Sequence, residues 1–171
     1  MITKENILAI AKKTILSESE AITKLIDFLD ENFYEAVQRI YKTKGRLIVT
    51  GIGKSAIIAQ KMVATFNSTG TPSMFLHASE AIHGDLGMIQ NADIIICISK
   101  SGNSPEIKAL IPLLKRFGNI LIGMTGNITS SLAKGSDYVL NTTVDMEACP
   151  INLAPTNSTT AQLVMGDALA V

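Results

Sequence analysis

The chain has 171 residues and a formal net charge of +0, which makes it long enough for one domain with a substantial core and too neutral for nonspecific nucleic-acid binding. Its 47% hydrophobic and 18% charged residues are typical of a globular protein and exclude a disordered one. No apolar run reaches the roughly 18 residues of a membrane span, and the charged N-terminus lacks the apolar block of a signal peptide. We therefore expect a cytoplasmic protein without nucleic-acid or membrane partners.

The two cysteines give no sign of a metal site. Cys97 and Cys149 lie far apart in the chain, without the spacing that metal ligands show. Cys97 falls within an apolar run and is most simply a small core residue. This sparse cysteine usage also favours the cytoplasm.

Two helices are predicted before the sheet, within residues 3–43. The first is a short amphipathic stretch marked by Ile7, Ile10 and Ile15. Ser17 and Glu20 match a capping box, so we predict that a second helix begins there and runs toward Gly45. The second helix carries an apolar stripe that its own sheet or a partner subunit can cover, formed by Ile22, Leu25, Leu29 and Phe33.

Five short apolar strands follow and alternate with helical segments over residues 46–171. Strands that are apolar on both faces are typical of a parallel sheet covered on each side. The sequence thus predicts an α/β fold, a three-layer αβα sandwich with a five-stranded parallel sheet, as one domain over residues 1–171. The strands are predicted at 46–51, 73–78, 93–99, 119–126 and 138–143.

The last helix is predicted to start at Asn157 or Ser158, either of which can serve as its N-cap. It reaches Val171 on apolar residues, without a glycine or a basic last turn. This ending leads us to expect that the natural chain continues beyond Val171.

The loop after the third strand is the strongest sign of function. Residues 99–104 read SKSGNS, and Pro105 stands where a helix would begin. Hydroxyls, backbone N–H groups and the positive end of a helix dipole would converge there, which suits a phosphate monoester. Gly102 would let the backbone approach such a ligand closely. An ordinary strand-to-helix turn explains the same residues, since turn formers cluster there for local reasons.

The first strand ends in GIGKSA, from Gly51 to Ala56, which only partly matches two nucleotide-binding motifs. Ala56 replaces the third glycine of a dinucleotide fingerprint, and Ile48 stands where a Walker loop needs glycine. What remains is Lys54 and a serine at the carboxyl end of the sheet, where open α/β sheets bind ligands. Lys54 is either a surface turn residue or a cation that faces a ligand.

Both histidines and two glutamates are further candidates. His77 ends a strand and is interpreted as structural, whereas His83 lies on a loop and is the better functional candidate. Glu106 falls in the first turn of a helix, where a carboxylate is common without any function. Glu147 precedes a long apolar loop stiffened by prolines, which indicates a binding role.

The segments GIGKS, HASEAIHGDLGMI, ISKSGNSPE and EACPINLAPTNSTTAQLVMGDALA resemble the sugar isomerase (SIS) domain family. HGDLGM and EACP-x-x-LAPT-x-STT are similar to its arabinose-5-phosphate isomerases, which serve the Kdo pathway of lipopolysaccharide or capsule. This resemblance implies interconversion of D-ribulose 5-phosphate and D-arabinose 5-phosphate without a metal or organic cofactor. It also implies a homotetramer with active sites at subunit contacts.

The resemblance also assigns roles to particular residues. It implies that Lys54, His83, Glu106 and Glu147 are catalytic. Many members carry two CBS domains, which this chain lacks, and the family's further catalytic histidine falls beyond Val171. The residues that it implies for substrate and phosphate binding are Gly53, Ser55, Ser99, Lys100, Ser101, Ser104 and Thr156.

The residue types fit aldose–ketose isomerisation, which needs a base and an electrophile around an enediolate. Lys54 can supply positive charge, and Glu106 or Glu147 can move the proton if burial brings its pKa toward neutrality. Two other functions remain open: a sugar-phosphate-sensing module without turnover, and another isomerase such as 6-phospho-3-hexuloisomerase. The chain shows no basic helix-turn-helix segment, which counts against the first, and the EACP and HGDLGM segments count against the second.

Overall fold

A parallel five-stranded sheet forms the centre of the computed structural model, which describes residues 3–171. Its strands, in chain order, are β1 (Leu47–Gly51), β2 (Ser73–His77), β3 (Ile94–Ser99), β4 (Ile120–Thr125) and β5 (Tyr138–Asn141). The spatial order is β2-β1-β3-β4-β5, and all neighbours are parallel. The predicted α/β class and the five-stranded parallel sheet are confirmed.

Helices cover both faces of this sheet. As a result, β1 and β3 are buried along their whole length. Val49, Ile96 and neighbouring side chains pack on one face, and Ile48 and Ile95 pack on the other. The first face meets α2, α3 and α7, and the second meets α4, α5 and α6. The helices are α1 (Lys4–Lys24), α2 (Glu31–Lys42), α3 (Lys54–Ser68), α4 (Ala78–Ile82), α5 (Pro105–Arg116), α6 (Ser131–Gly135) and α7 (Asn157–Ala170).

The predicted helix start at Ser17 is wrong, because α1 runs without a break from Lys4 to Lys24. The Ser17 hydroxyl accepts a hydrogen bond from Asn157 Nδ2 at 2.8 Å and caps nothing. The helical path changes direction further along, after a short 3₁₀ turn at Leu25–Phe28. Asp30 caps α2, since its carboxylate accepts the backbone N–H groups of residues 32 and 33.

The predicted caps of the last helix, Asn157 and Ser158, are also wrong by one or two positions. Thr156 is the N-cap residue, and its own side chain makes no capping bond. Inside the protein, α7 lies close to α3: a Cβ atom at Gly166 would be only 2.5 Å from Cγ of Met62. Glycine at this position therefore sets the separation of the two helices.

Among residues 3–171, no helix combines the length and the apolar character that a membrane span needs. Cys97 lies in the core as expected, and burial raises the pKa of its thiol to about 12.

An ion pair between the partly exposed Arg46 and the buried carboxylate of Asp93 joins the amino ends of β1 and β3. Asp93 Oδ1 accepts the backbone N–H of Arg46 at 2.8 Å, and Oδ2 accepts Arg46 Nη2 at 2.7 Å. The backbone N–H of Gln90 donates to the same Oδ2 at 2.9 Å. Burial alone would raise the pKa of Asp93, but these donors lower it below its usual value. The carboxylate thus fixes the end of the sheet that lies opposite the serine loop.

We predict that Asp93→Asn lowers the free energy of unfolding by about 2–3 kcal/mol at pH 7, because it removes the charge of the buried Asp93 carboxylate. An Asp whose folded pKa is depressed stabilises the fold above its unfolded pKa of about 3.9, and this stabilisation is lost as the pH falls. The difference between the two proteins should therefore shrink below about pH 4. Urea unfolding between pH 3 and 7 measures it, with exposed Asp27→Asn as the control. An equal effect of both substitutions at pH 7 would contradict the prediction.

Candidate active site

The candidate site lies where the chain direction across the sheet reverses, between β1 and β3. From β1 the chain continues to β2 on one side, while β3 and β4 lie on the other. Gly51 at the end of β1 is in register with Ile98 near the end of β3. The loop before α3 and the loop before α5 therefore flank one crevice, the usual ligand position in open α/β sheets. Lys54 and the serine loop (residues 99–104) are on its two sides.

Two hydroxyls of the serine loop hold its shape. Ser99 is buried, and its Oγ accepts the backbone N–H of Gly102 at 3.1 Å. Ser101 is exposed, and its Oγ accepts the backbone N–H of Asn103 at 3.2 Å. Asn103 in turn accepts two bonds from Ser131 in α6, one from its backbone N–H and one from its hydroxyl, both at 3.0 Å. The loop is thus fixed from behind by α6.

The hydroxyl of Ser104 differs from the other two. It is buried, and within residues 3–171 it has no hydrogen-bond partner. Ser104 is the N-cap residue of the twelve-residue helix α5, yet its side chain makes no capping bond, and Pro105 follows at the first helical position. A buried polar atom without a partner calls for an explanation, and an anion at the positive end of α5 supplies one.

Gly102 has a different role from the expected one. Its φ of +61° favours glycine, but a Cβ atom there would lie 2.1 Å from Ser130 Oγ and 2.9 Å from Thr125 Oγ1. The expectation that Gly102 admits a ligand is therefore corrected: the glycine admits these two protein side chains.

Glu147 is the centre of the most extensive polar network at this end of the sheet. Its Oε1 accepts Lys100 Nζ at 2.6 Å and the hydroxyl of Ser158 at 2.5 Å. Its Oε2 accepts the backbone N–H groups of Thr156 at 2.8 Å and Ser158 at 3.1 Å, and the Thr156 hydroxyl at 3.2 Å. The carboxylate thus caps α7 from the preceding loop, so α7 begins without a capping side chain of its own.

The electrostatics of Glu147 follow from this donor set. Burial would raise its pKa, but the bonds from Lys100, Ser158 and Thr156 prevail and lower the pKa to about 2. A pKa near neutrality was the condition for Glu147 to move a proton, and the carboxylate does not meet it. Thr156, expected to bind substrate, has its hydroxyl bonded to Glu147 and to the N–H of Ala148 at 2.9 Å.

The residues after β1 are on the open side of the crevice. Gly53 and Lys54 are exposed, and a Cβ atom at Gly53 would meet nothing within 4 Å. Ser55 is half-buried, and its hydroxyl donates to Gln162 Oε1 at 3.1 Å. Gln162 is a buried polar residue of α7 that the sequence analysis missed; a glutamine on an otherwise apolar helix face was the available signal.

Residues 39–171 match the family model of the SIS domain. The chain belongs to the SIS domain family. It is 51% identical over 166 residues to a probable arabinose 5-phosphate isomerase of Haemophilus influenzae, covering 97% of this chain and 49% of the relative. It is 52% identical over 160 residues to arabinose 5-phosphate isomerase KdsD of Escherichia coli K12, covering 94% and 49%. The chain thus spans about half the length of these curated relatives.

A solved structure is similar to this chain over nearly its whole length. An Escherichia coli CFT073 protein in complex with arabinose 5-phosphate superposes with a TM-score of 0.94 at 41% identity. The alignment covers 99% of this chain and 90% of that one. The likeness therefore includes both loops of the crevice.

Two of the remaining expected site residues, Glu106 and His83, make fewer contacts than Glu147. Glu106 is half-buried at the second position of α5, and His83 is exposed at the end of α4. Within residues 3–171, neither side chain makes a hydrogen bond. His77 is structural as interpreted, since its Nδ1 accepts the backbone N–H of Ser79 at 3.3 Å. The described residues contain no cluster of His, Cys, Asp or Glu that could hold a metal ion.

We predict that Ser104→Ala leaves the phosphate-free protein as stable as the wild type, because the lost hydroxyl makes no bond within residues 3–171. The same change should weaken phosphate binding about tenfold, as expected for one hydrogen bond to a charged group. Thermal unfolding with and without inorganic phosphate measures both effects.

Ser136→Ala is the matched control, because its hydroxyl donates to the Leu132 carbonyl at 2.7 Å. It should lower the melting temperature and leave phosphate binding unchanged. Equal stabilisation of wild type and Ser104→Ala by phosphate would contradict a phosphate at this helix end.

Proposed function

We propose that this SIS domain holds an aldose–ketose isomerase site that interconverts D-ribulose 5-phosphate and D-arabinose 5-phosphate. The observation that carries the proposal is the unpartnered, buried hydroxyl of Ser104 at the start of α5, across one crevice from Lys54. The names of the relatives, at about half identity over nearly the whole chain, support the same substrate pair. A 5-phosphate held by the serine loop would direct the sugar carbons toward Lys54.

The chemistry follows from the groups around the crevice. A proton moves between C1 and C2, and negative charge develops on the carbonyl oxygen as the enediolate forms. The exposed Lys54 ammonium can approach that oxygen, and half-buried Glu106 can accept and return the proton. The proposal needs neither a metal ion nor an organic cofactor, since Lys54 supplies the positive charge.

We predict that Lys54→Ala lowers kcat by about 10²–10³-fold and changes KM less than threefold, because Lys54 meets full charge only in the transition state. Conversion of ribulose 5-phosphate, followed by NMR, measures both constants. Lys108→Ala, which removes an exposed lysine of α5, should leave them unchanged.

The same assay tests the competing functions. Binding of ribulose 5-phosphate by the wild type without any turnover would favour a sensing module. Turnover of fructose 6-phosphate in its place would favour a 6-phospho-3-hexuloisomerase. A raised KM with an unchanged kcat in Lys54→Ala would mean that the lysine only binds ground-state substrate.

We also propose a homotetramer whose contacts include α1. Ile7, Ile10 and Ile15 of this helix are 55%, 64% and 69% exposed. Leu25 of the predicted stripe is instead buried against the chain's own core, while Leu29 is 48% exposed. An apolar surface of this extent is typical of a protein contact.

We predict a tetrameric mass in light scattering at micromolar concentration. Ile10→Glu combined with Ile15→Glu should yield a smaller species with unchanged circular dichroism, because charges on a contact face prevent its burial. A wild-type monomer would contradict the proposal.

The proposed compartment is the cytoplasm, and the proposed pathway is the Kdo pathway of lipopolysaccharide or capsule that the family resemblance implies. Cys97 and Cys149 are both free thiols, which suits a reducing compartment.

A further inference from the structure

The carboxylate of Glu147 has no capacity left for a substrate. An ionised carboxylate offers about four lone-pair sites, and five donors from Lys100, Thr156 and Ser158 already surround this one. The side chain is 0% exposed. A group that removes a proton from a sugar must come within hydrogen-bond distance of that proton. Glu147 could do so only after its own network is dismantled.

Lys100, in contrast, makes one hydrogen bond through its ammonium and remains partly exposed. Its ammonium uses one bond to reach Glu147, and its side chain remains 44% exposed. Its aliphatic stem lies against Gly126, where a Cβ atom would be 3.6 Å from Lys100 Cγ. Its backbone carbonyl accepts the N–H of Gly126 at 3.0 Å. An ammonium has three N–H donors, so this partly exposed lysine retains two donors beyond its bond to Glu147.

We propose that Glu147 is a positioning residue: it fixes the Lys100 ammonium beside the serine loop, where that cation binds the substrate phosphate, and it does not take the substrate proton. The inference rests on the phosphate site and the isomerase activity proposed above. It leaves Glu106 as the carboxylate that moves the proton between C1 and C2.

The change in anion binding when the Glu147 charge is removed distinguishes three possible roles of this residue. If Glu147 acted on a bound anion only through its own charge, removing that charge would tighten anion binding. If it acts by holding Lys100, removing the charge releases the lysine and weakens anion binding. If it acts only as a proton shuttle, a ligand that cannot isomerise would bind as before.

Arabitol 5-phosphate is a suitable probe, because it keeps the phosphate and lacks the carbonyl group. We expect titration calorimetry on the full 171-residue chain to give a Kd about tenfold higher for Glu147→Gln and for Lys100→Met than for the wild type. The double variant should bind about as weakly as either single variant, since both changes remove one interaction. Glu31→Gln, an exposed change on α2, is the control and should bind like the wild type.

Two further variants keep the test decisive. Glu147→Asp keeps the charge but is one methylene too short to reach Lys100, so it should raise the Kd like Glu147→Gln and serves if the latter does not fold. Glu106→Gln should keep the wild-type Kd and lose ribulose 5-phosphate turnover by about 10²–10⁴-fold.

Unchanged or tighter binding of arabitol 5-phosphate by both Glu147 variants would overturn the proposal, as would full turnover by Glu106→Gln. No binding by the wild type would overturn it too, because Lys100 would then have no phosphate to meet. If the wild type does not turn over ribulose 5-phosphate but the variants show the expected Kd increases, the isomerase activity is contradicted and the role of Glu147 is not.

Discussion

A carboxylate taken out of water must be surrounded by donors, and the last third of the chain is arranged around this requirement of Glu147. Its partners are a lysine 47 residues earlier and the first turn of a helix 9 and 11 residues later. Satisfying Glu147 therefore closes the proline-stiffened loop, starts α7 and links both to the serine loop. A single buried charge connects segments that the sheet alone would leave independent.

Each end of the sheet carries an ion pair, and the two pairs differ in how much of the cation is left free. At the amino end, Asp93 and Arg46 neutralise one another, and the result is stability. At the carboxyl end, Lys100 and Glu147 also pair, but the lysine keeps donors at the surface, and Lys54 stands exposed across the crevice. The apolar strands β1 and β3 connect the two ends, so the Arg46–Asp93 pair holds the strands whose other ends carry Lys54 and Lys100.

The fold could be predicted from the sequence because its signals are local: strands that are apolar on both faces imply a covered parallel sheet whatever else surrounds them. The serine loop was located for the same reason, since a hydroxyl-rich turn before Pro105 is visible within a few residues. The errors concern groups whose partners are remote. Ser17 matches a capping box, but its hydroxyl meets Asn157, 140 residues away, and the helix continues. Likewise, neither the lowered pKa of Glu147 nor the contact between Ser55 and Gln162 can be read from neighbouring residues.

The close approach of α3 and α7 at Gly166 has a mechanical consequence. The Met62 side chain of α3 packs against Gly166 of α7, so the two helices separate only by breaking a packed interface, and the hydrogen bond from Ser55 to Gln162 joins them again near the crevice. One wall of the crevice is therefore stiff. If the crevice binds a phosphorylated sugar, as we propose, the exposed loop at residues 150–154 can adjust to that sugar more readily than these two helices can.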